Sequence, residues 1–269
     1  MSKSDGRARR NLTNAMRELY ESRSVLLSLI NKNLVGRYKN SLLGLIWHFI
    51  TPIMMLIIYY IVFTQIRIRP IDDFWLYLAS GLFIFNFMLN CLTSGSLCIV
   101  NNSGLVKKMY IPREYLVLSH TISSFIVMMI GYLIVLTVVI ITGHNFTLFT
   151  LTMIPVIIMS LLFATGCVFI FSSMAVYVRD IHHLLSVLSP VLFFITPIYF
   201  LVEDVTGILE IVIWLNPFSY YVAMMHDAFY YGEVTTSFVY VVGLVLSIVV
   251  LLTGVLLFRK LKRGFAERL

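Results

Sequence analysis

The sequence predicts an all-α integral membrane protein with six transmembrane helices, an N-terminal amphipathic interface helix, and two short outer helices between spans five and six. Three observations predict it. Of the 269 residues, 59% are hydrophobic and only 12% charged, against about 25% charged in a soluble domain. Six apolar runs reach the roughly 20 residues a helix needs to cross the hydrocarbon core; they cover 42–66, 74–100, 115–142, 146–178, 184–202 and 238–258. Eighteen of the twenty lysines and arginines fall on one side of that pattern. A β-barrel is excluded because barrel strands alternate apolar and polar residues over about ten positions, whereas these runs are continuously apolar.

The elements follow in order along a single transmembrane domain, 1–269. Residues 1–15 are basic and read as a mobile N-terminus. Over 16–40 the apolar residues Met16, Leu19, Tyr20, Leu26, Leu27, Ile30, Leu34 and Tyr38 recur at helical spacing, with Arg17, Glu18, Glu21, Ser24, Ser28, Asn31 and Lys32 on the other face. That pattern predicts a helix lying in the cytoplasmic interface. Spans one to five occupy 42–202. A basic stretch at 104–114, GLVKKMYIPRE, sits between spans two and three. Its mixture of bases, apolar residues and a proline exceeds what a plain connector needs, so it reads as a contact surface. His144-Asn145 make a tight turn between spans three and four. The run 146–178 is long enough to tilt or to extend beyond the bilayer. The segment 203–236 holds two semi-apolar pieces, 205–215 and 218–231, divided by Asn216-Pro217. Each is too short to cross. Irregular backbone at membrane depth survives only against protein or water, so the pair is expected to cap a cavity. Span six covers 238–258 and the tail 259–269.

Charge sets the orientation. Nine bases precede span one, three lie in the 104–114 stretch, Arg179 follows span four and five lie in the tail. Loops rich in Lys and Arg stay cytoplasmic, which places both termini in the cytoplasm. The opposite side has Arg67 and Arg69 against Asp72, Asp73, Glu203, Asp204, Glu210, Asp227 and Glu233. The net charge of +7 is thus a topological signal, and a nucleic-acid partner has little support. No cleavable signal peptide is visible, since the first apolar run is a full-length span. Cys91, Cys98 and Cys167 all fall within apolar runs and read as buried inert thiols.

The chemistry the chain lacks is informative. There is no GxxxxGK[ST] loop to cradle a nucleotide phosphate, no HExxH and no CxxC. His182-His183 beside Asp180 is the sole histidine pair, too few ligands for a metal site. No catalytic residue, metal or cofactor is expected in this chain. The deep parts of the spans carry no Asp, Glu, Lys or Arg, while ion-coupled carriers place such groups there. Movement of a substrate would therefore draw energy from a cytoplasmic partner. The spans are instead rich in aromatics, including Trp47, Tyr59, Tyr60 and Phe63 in span one and Phe193, Phe194 and Tyr199 in span five. Flat rings with polar edges match the apolar faces of sugar rings; interfacial belts and plain packing explain the same residues without a substrate.

Several short motifs carry a resemblance. Arg37-Tyr38-Lys39-Asn40-Ser41-Leu42-Leu43-Gly44, then Trp47 and Pro52, resembles the start of span one in permeases of the ABC-2 type, in the branch that exports O-antigen, capsule and teichoic acid polymers. Val106-Lys107-Lys108 with Pro112-Arg113 resembles that branch's coupling segment. Arg179-Asp180, Thr196-Pro197-Ile198, Asn216-Pro217, Lys260-Leu261-Lys262 and Phe265-Ala266-Glu267 fall in the family's order. The pattern is closest to O-antigen exporters. One departure stands out: where the family often has an arginine followed by an acidic residue, this chain has His226 before Asp227.

The resemblance implies a homodimer in the bacterial inner membrane, joined by two copies of a separate ATPase that binds ATP and magnesium. An undecaprenyl-linked polysaccharide would pass between the two permease chains. Lys107, Lys108, Met109, Tyr110, Pro112, Arg113, Arg179 and Asp180 would couple to the ATPase, together with Arg37, Tyr38 and Lys39 of the interface helix. Trp47, Tyr59, Phe63, Phe193 and Tyr199 would line the channel. Asn216, Pro217, His226 and Asp227 would form the outer gate. Two readings compete. One is an ABC-2 exporter of teichoic acid, a drug or a small lipid. The other is an intramembrane enzyme on lipid-linked sugars, for which Asp72-Asp73 and Glu203-Asp204 are the outer acidic clusters.

Overall fold

A computed structural model describes residues 23–36, 46–66, 70–108, 111–142 and 148–269. They form helices α1 (Arg23–Gly36), α2 (Trp47–Ile66), α3 (Phe74–Ser96), α4 (Ser103–Lys108), α5 (Glu114–Thr142), α6 (Met153–Tyr177), α7 (Asp180–Ile195), α8 (Ile208–Leu215), α9 (Pro217–Met225), α10 (Ser237–Leu261) and α11 (Phe265–Arg268). Short 3₁₀ turns join them, and a π-helical turn, His226–Tyr231, extends α9. There is no β-strand among the described residues.

Helix α3 is the hub. It packs against α2, α5, α6, α7 and α9, and from Phe74 to Phe85 every residue but Trp75 is buried. Helices α6 and α10 make the closest pair, because glycines let the backbones meet. A Cβ on Gly166 would lie 2.6 Å from the Val250 carbonyl carbon, and one on Gly254 would lie 2.5 Å from the Gly166 oxygen. Small residues at helix contacts are the usual device where lipid removes the hydrophobic incentive to associate. Ser247 of α10 adds a hydrogen bond to the Met159 carbonyl of α6 at 2.9 Å.

Among the described residues, five helices are long and apolar enough to cross a membrane: α2, α3, α5, α6 with the turn before it, and α10. The expected fifth span, 184–202, is not one continuous helix. Helix α7 starts earlier, at Asp180, and has 16 residues, about 24 Å at 1.5 Å per residue, short of a 30 Å core. It ends at Thr196, whose ψ of 134° is extended. The cause is Pro197, which disfavours helical geometry in the residue before it. The chain then runs irregularly to Leu201. The 203–236 segment forms α8 and α9 with its π-helical extension, bent by 88° at Asn216. Counting that bent pair as one span gives six.

The interface helix is described only over α1, and it lies along α5. Its contact residue is Leu29, buried against Tyr115 and Leu116. Leu27, expected on the apolar face, is 62% exposed. The face is chosen by what α5 offers, including Ser119 Oγ, which accepts from Asn33 at 3.3 Å, and Ser123, which donates to the Ile30 carbonyl at 3.3 Å.

Candidate functional site

The ends of the bundle differ in chemistry. At the basic end, the tail folds back under the 104–114 stretch. Arg113 donates to the carbonyl of Lys262, and its guanidinium lies 5.7 Å from the Phe265 ring centre, within cation–π range. Lys262 in turn bonds Glu114 at 2.5 Å. Arg268 lies over Tyr177 at 6.0 Å, and the Tyr177 hydroxyl donates to the Leu261 carbonyl at 2.9 Å. Helix α11 therefore touches both α4 and the end of α6. The tail thus bridges the connector after α3 and the one after α6.

Of the expected coupling residues, Lys107 and Pro112 are exposed at this end, as are Arg179 and Asp180 at the start of α7. Arg113 is instead turned into the brace. Lys108 lies in α4; Met109, Tyr110, Arg37, Tyr38 and Lys39 lie outside the described residues. Glu114, Lys262, Phe265 and Tyr177 were not singled out from the sequence as site residues. The signal available was the Arg113-Glu114 pair together with a tail that carries five bases and one aromatic.

Four of the five expected channel residues come together. Phe63 stacks on Tyr199 with centres 4.0 Å apart, Tyr59 meets Phe193 at 5.2 Å, and Phe193 meets Tyr199 at 5.9 Å. These contacts join α2 to α7 and the irregular segment after it. Outside the cluster both helices present apolar residues, with Ile57 and Ile61 of α2 and Val187, Val191 and Phe194 of α7 exposed. Trp47 stands apart at the start of α2.

The far end is held by neutral hydrogen bonds. The irregular segment after α7 is fastened at three points. The amide of Asn216 donates to Thr196 Oγ1 at 2.7 Å. Nε2 of His226 meets the Pro197 carbonyl at 2.8 Å, so this nitrogen carries the proton, since a carbonyl only accepts. The Tyr77 hydroxyl donates to the Phe200 carbonyl at 2.8 Å. His226 is buried, stacked on Tyr77 with centres 3.9 Å apart and 3° between planes. Its Nδ1 meets Ser80 Oγ at 2.8 Å. Gly81 makes room for the ring, because a Cβ there would come within 2.8 Å of it. Asn216 also caps α9, its side-chain oxygen accepting from the Phe218 amide at 3.1 Å, and Pro217 follows at the first helical position. Asp227 is half-buried in the π-helical turn.

Residues 24–230 match the ABC-2 type transporter family. Two proteins of Klebsiella pneumoniae, each named O-antigen export system permease protein RfbA, are 27% and 26% identical over 247 residues, covering 90% of this chain and 94% of theirs. A protein of the same name from Myxococcus xanthus is 24% identical over 254 residues, covering 94% of this chain and 98% of its own. The match takes in the hub helix, the braced connector and the Asn216-Pro217 bend alike, and the chain belongs to the ABC-2 type transporter family as a multi-pass membrane permease.

Proposed function

We propose that the chain is the membrane subunit of an ATP-driven exporter of O-antigen. Two copies of it assemble with two copies of a separate ATPase in the bacterial inner membrane, with both termini cytoplasmic. The observation that carries the reading is the near-full-length similarity to permeases named for O-antigen export. The chain's own residues agree with it. The deep parts of the continuous spans carry no Asp, Glu, Lys or Arg for ion coupling, and exposed bases are gathered beside the tail-braced connector. A ligand or nucleotide shifts a conformational equilibrium only by contacting its states differently. A connector tied to α5, α6 and the tail would pass such a difference into the bundle. Lys107, Lys108, Arg179 and Asp180 are the residues this reading presents to the ATPase, and it gives the same role to Met109, Tyr110, Arg37, Tyr38 and Lys39. The aromatic cluster of Tyr59, Phe63, Phe193 and Tyr199, with Trp47, would line the passage between two copies. The bent pair α8–α9 would gate its outer end. The cargo would be a lipid-linked polysaccharide of the undecaprenyl type.

The test is deletion of the gene with complementation by the tagged chain. Surface O-antigen is expected to vanish and return with the chain, and the ATPase is expected to co-purify with it. Unchanged surface polymer in the deletion, with another exported lipid or drug retained in the cell, would sink the reading.

A further inference from the structure

Helix α3 is buried almost all round, yet one stripe of it is open. Asn86, Asn90, Thr93 and Ser94 recur at helical spacing and line a cavity of about 770 Å³ between α1, α2, α3 and α5. Asn86 is exposed in the middle of an otherwise buried stretch, at the thirteenth of 23 positions in a span. Its amide has no hydrogen-bond partner among the described residues, whereas Asn90 accepts from Ser124 of α5 at 3.3 Å. Polar side chains at mid-span are costly unless water, protein or a polar ligand satisfies them. The cavity runs from that depth to the basic end, where Lys32, Asn101 and Asn102 line it. Its size falls in the range of small-molecule sites.

We infer that this cavity, which meets the aromatic cluster of α2 and α7 at Tyr59, binds a neutral sugar unit. The inference rests on the proposed export of a glycan and names a site for it within one copy of the chain. Three features select the ligand. The polar lining is almost wholly amides and hydroxyls, which pair with sugar hydroxyls as both donors and acceptors. Trp47, Tyr59 and Phe83 also line it and supply flat apolar walls. The one Lys or Arg among the described lining residues is Lys32, and its Nζ already donates to Asn102 Oδ1 at 2.7 Å. A phosphate would call for a cluster of cations instead.

The experiment places the full chain in phosphatidylcholine nanodiscs and exposes it to three diazirine probes: an octyl glucoside, an octyl phosphate and octanol. The glucoside is expected to label peptides of α3 and α5 around 86–94 and 120–128, in preference to the other two. Asn90→Leu is expected to cut that labelling about tenfold, the scale of one or two lost hydrogen bonds, and Asn90→Gln to restore it. Ser94→Trp, which fills the cavity from its wall, is expected to block labelling even if the leucine variant fails to fold. Equal labelling by the phosphate or by octanol, labelling indifferent to these variants, or cross-links showing a second copy seated in the cavity would each overturn the site. Loss of the site with surface polymer still dependent on the chain leaves the export reading standing. Labelling that persists while the deletion strain keeps its polymer removes the export reading and retains a sugar site.

Discussion

The two ends of this molecule are both joined across long sequence separations, but by opposite means. At the basic end Arg113, Glu114, Lys262 and Arg268 work through charge, half-exposed, over aromatic faces. At the far end His226, Tyr77, Ser80 and Asn216 work through neutral bonds, nearly all buried. Exposed ion pairs contribute little each and are screened by salt. Buried hydrogen bonds are expensive to leave unmade. The difference assigns stability to the far end and leaves the basic end free to be read by a partner. Under the proposed function the ATPase pushes on this end, and contacts that rearrange cheaply suit that role.

The sharpest way to break the comparison is His226→Ala. The change empties a space beside Tyr77 and leaves the buried Pro197 carbonyl without its donor. Lost packing and an orphaned acceptor together predict about 3 kcal/mol of destabilisation. Thermal unfolding of the detergent-solubilised chain should show it as a clear fall in Tm. A Tm within a degree of the unaltered chain would mean that the segment after α7 holds itself, and the contrast between the ends would lose its ground.

The sequence made some of this legible and hid the rest for physical reasons. The long spans are visible because lipid demands continuous apolar runs, and the basic end is visible because Lys and Arg crowd there. The break inside the expected fifth span was marked by Thr196-Pro197, yet composition over 184–202 stays apolar through it, so an apolar count cannot see it. His226 drew notice as a departure from the family pattern, but its role depends on Tyr77 and Ser80, almost 150 residues earlier. Nothing local pairs them. The interface helix shows the same limit. Spacing alone places Leu27 inward, while the position of Tyr115 and Leu116 selects Leu29. Asn86 and Asn90 were passed over because a search for charge in the spans does not register amides.

At the basic end a smaller effect is expected. Glu114→Gln keeps the side chain's shape and removes the charge that meets Lys262. The pair is partly exposed, so its loss predicts about 0.5 kcal/mol at low salt, shrinking as salt is raised. Comparing Tm of the two chains at low and high ionic strength measures it. A difference that is as large as that of His226→Ala, or that ignores salt, would show the brace to be buried structure like the far end.

The smallest effect on stability is expected at Lys107 and Lys108, and it separates folding from coupling. Lys107 is exposed on α4, and substitutions at exposed positions usually shift stability by no more than about 0.5 kcal/mol. Lys107→Glu with Lys108→Glu should therefore leave Tm in place. Under the proposed function it should still abolish export, because reversed charges confront whatever surface the ATPase offers, and opposed like charges across an interface cost several-fold more than a lost rim contact. The measurement is paired: Tm of the purified chain, and surface polymer with ATPase activity of the complex. Export at the unaltered level would reduce the 104–114 stretch to a connector. Loss of export together with a large fall in Tm would show that the basic end, like the far end, is there to hold the fold, and the division of labour between them would be gone.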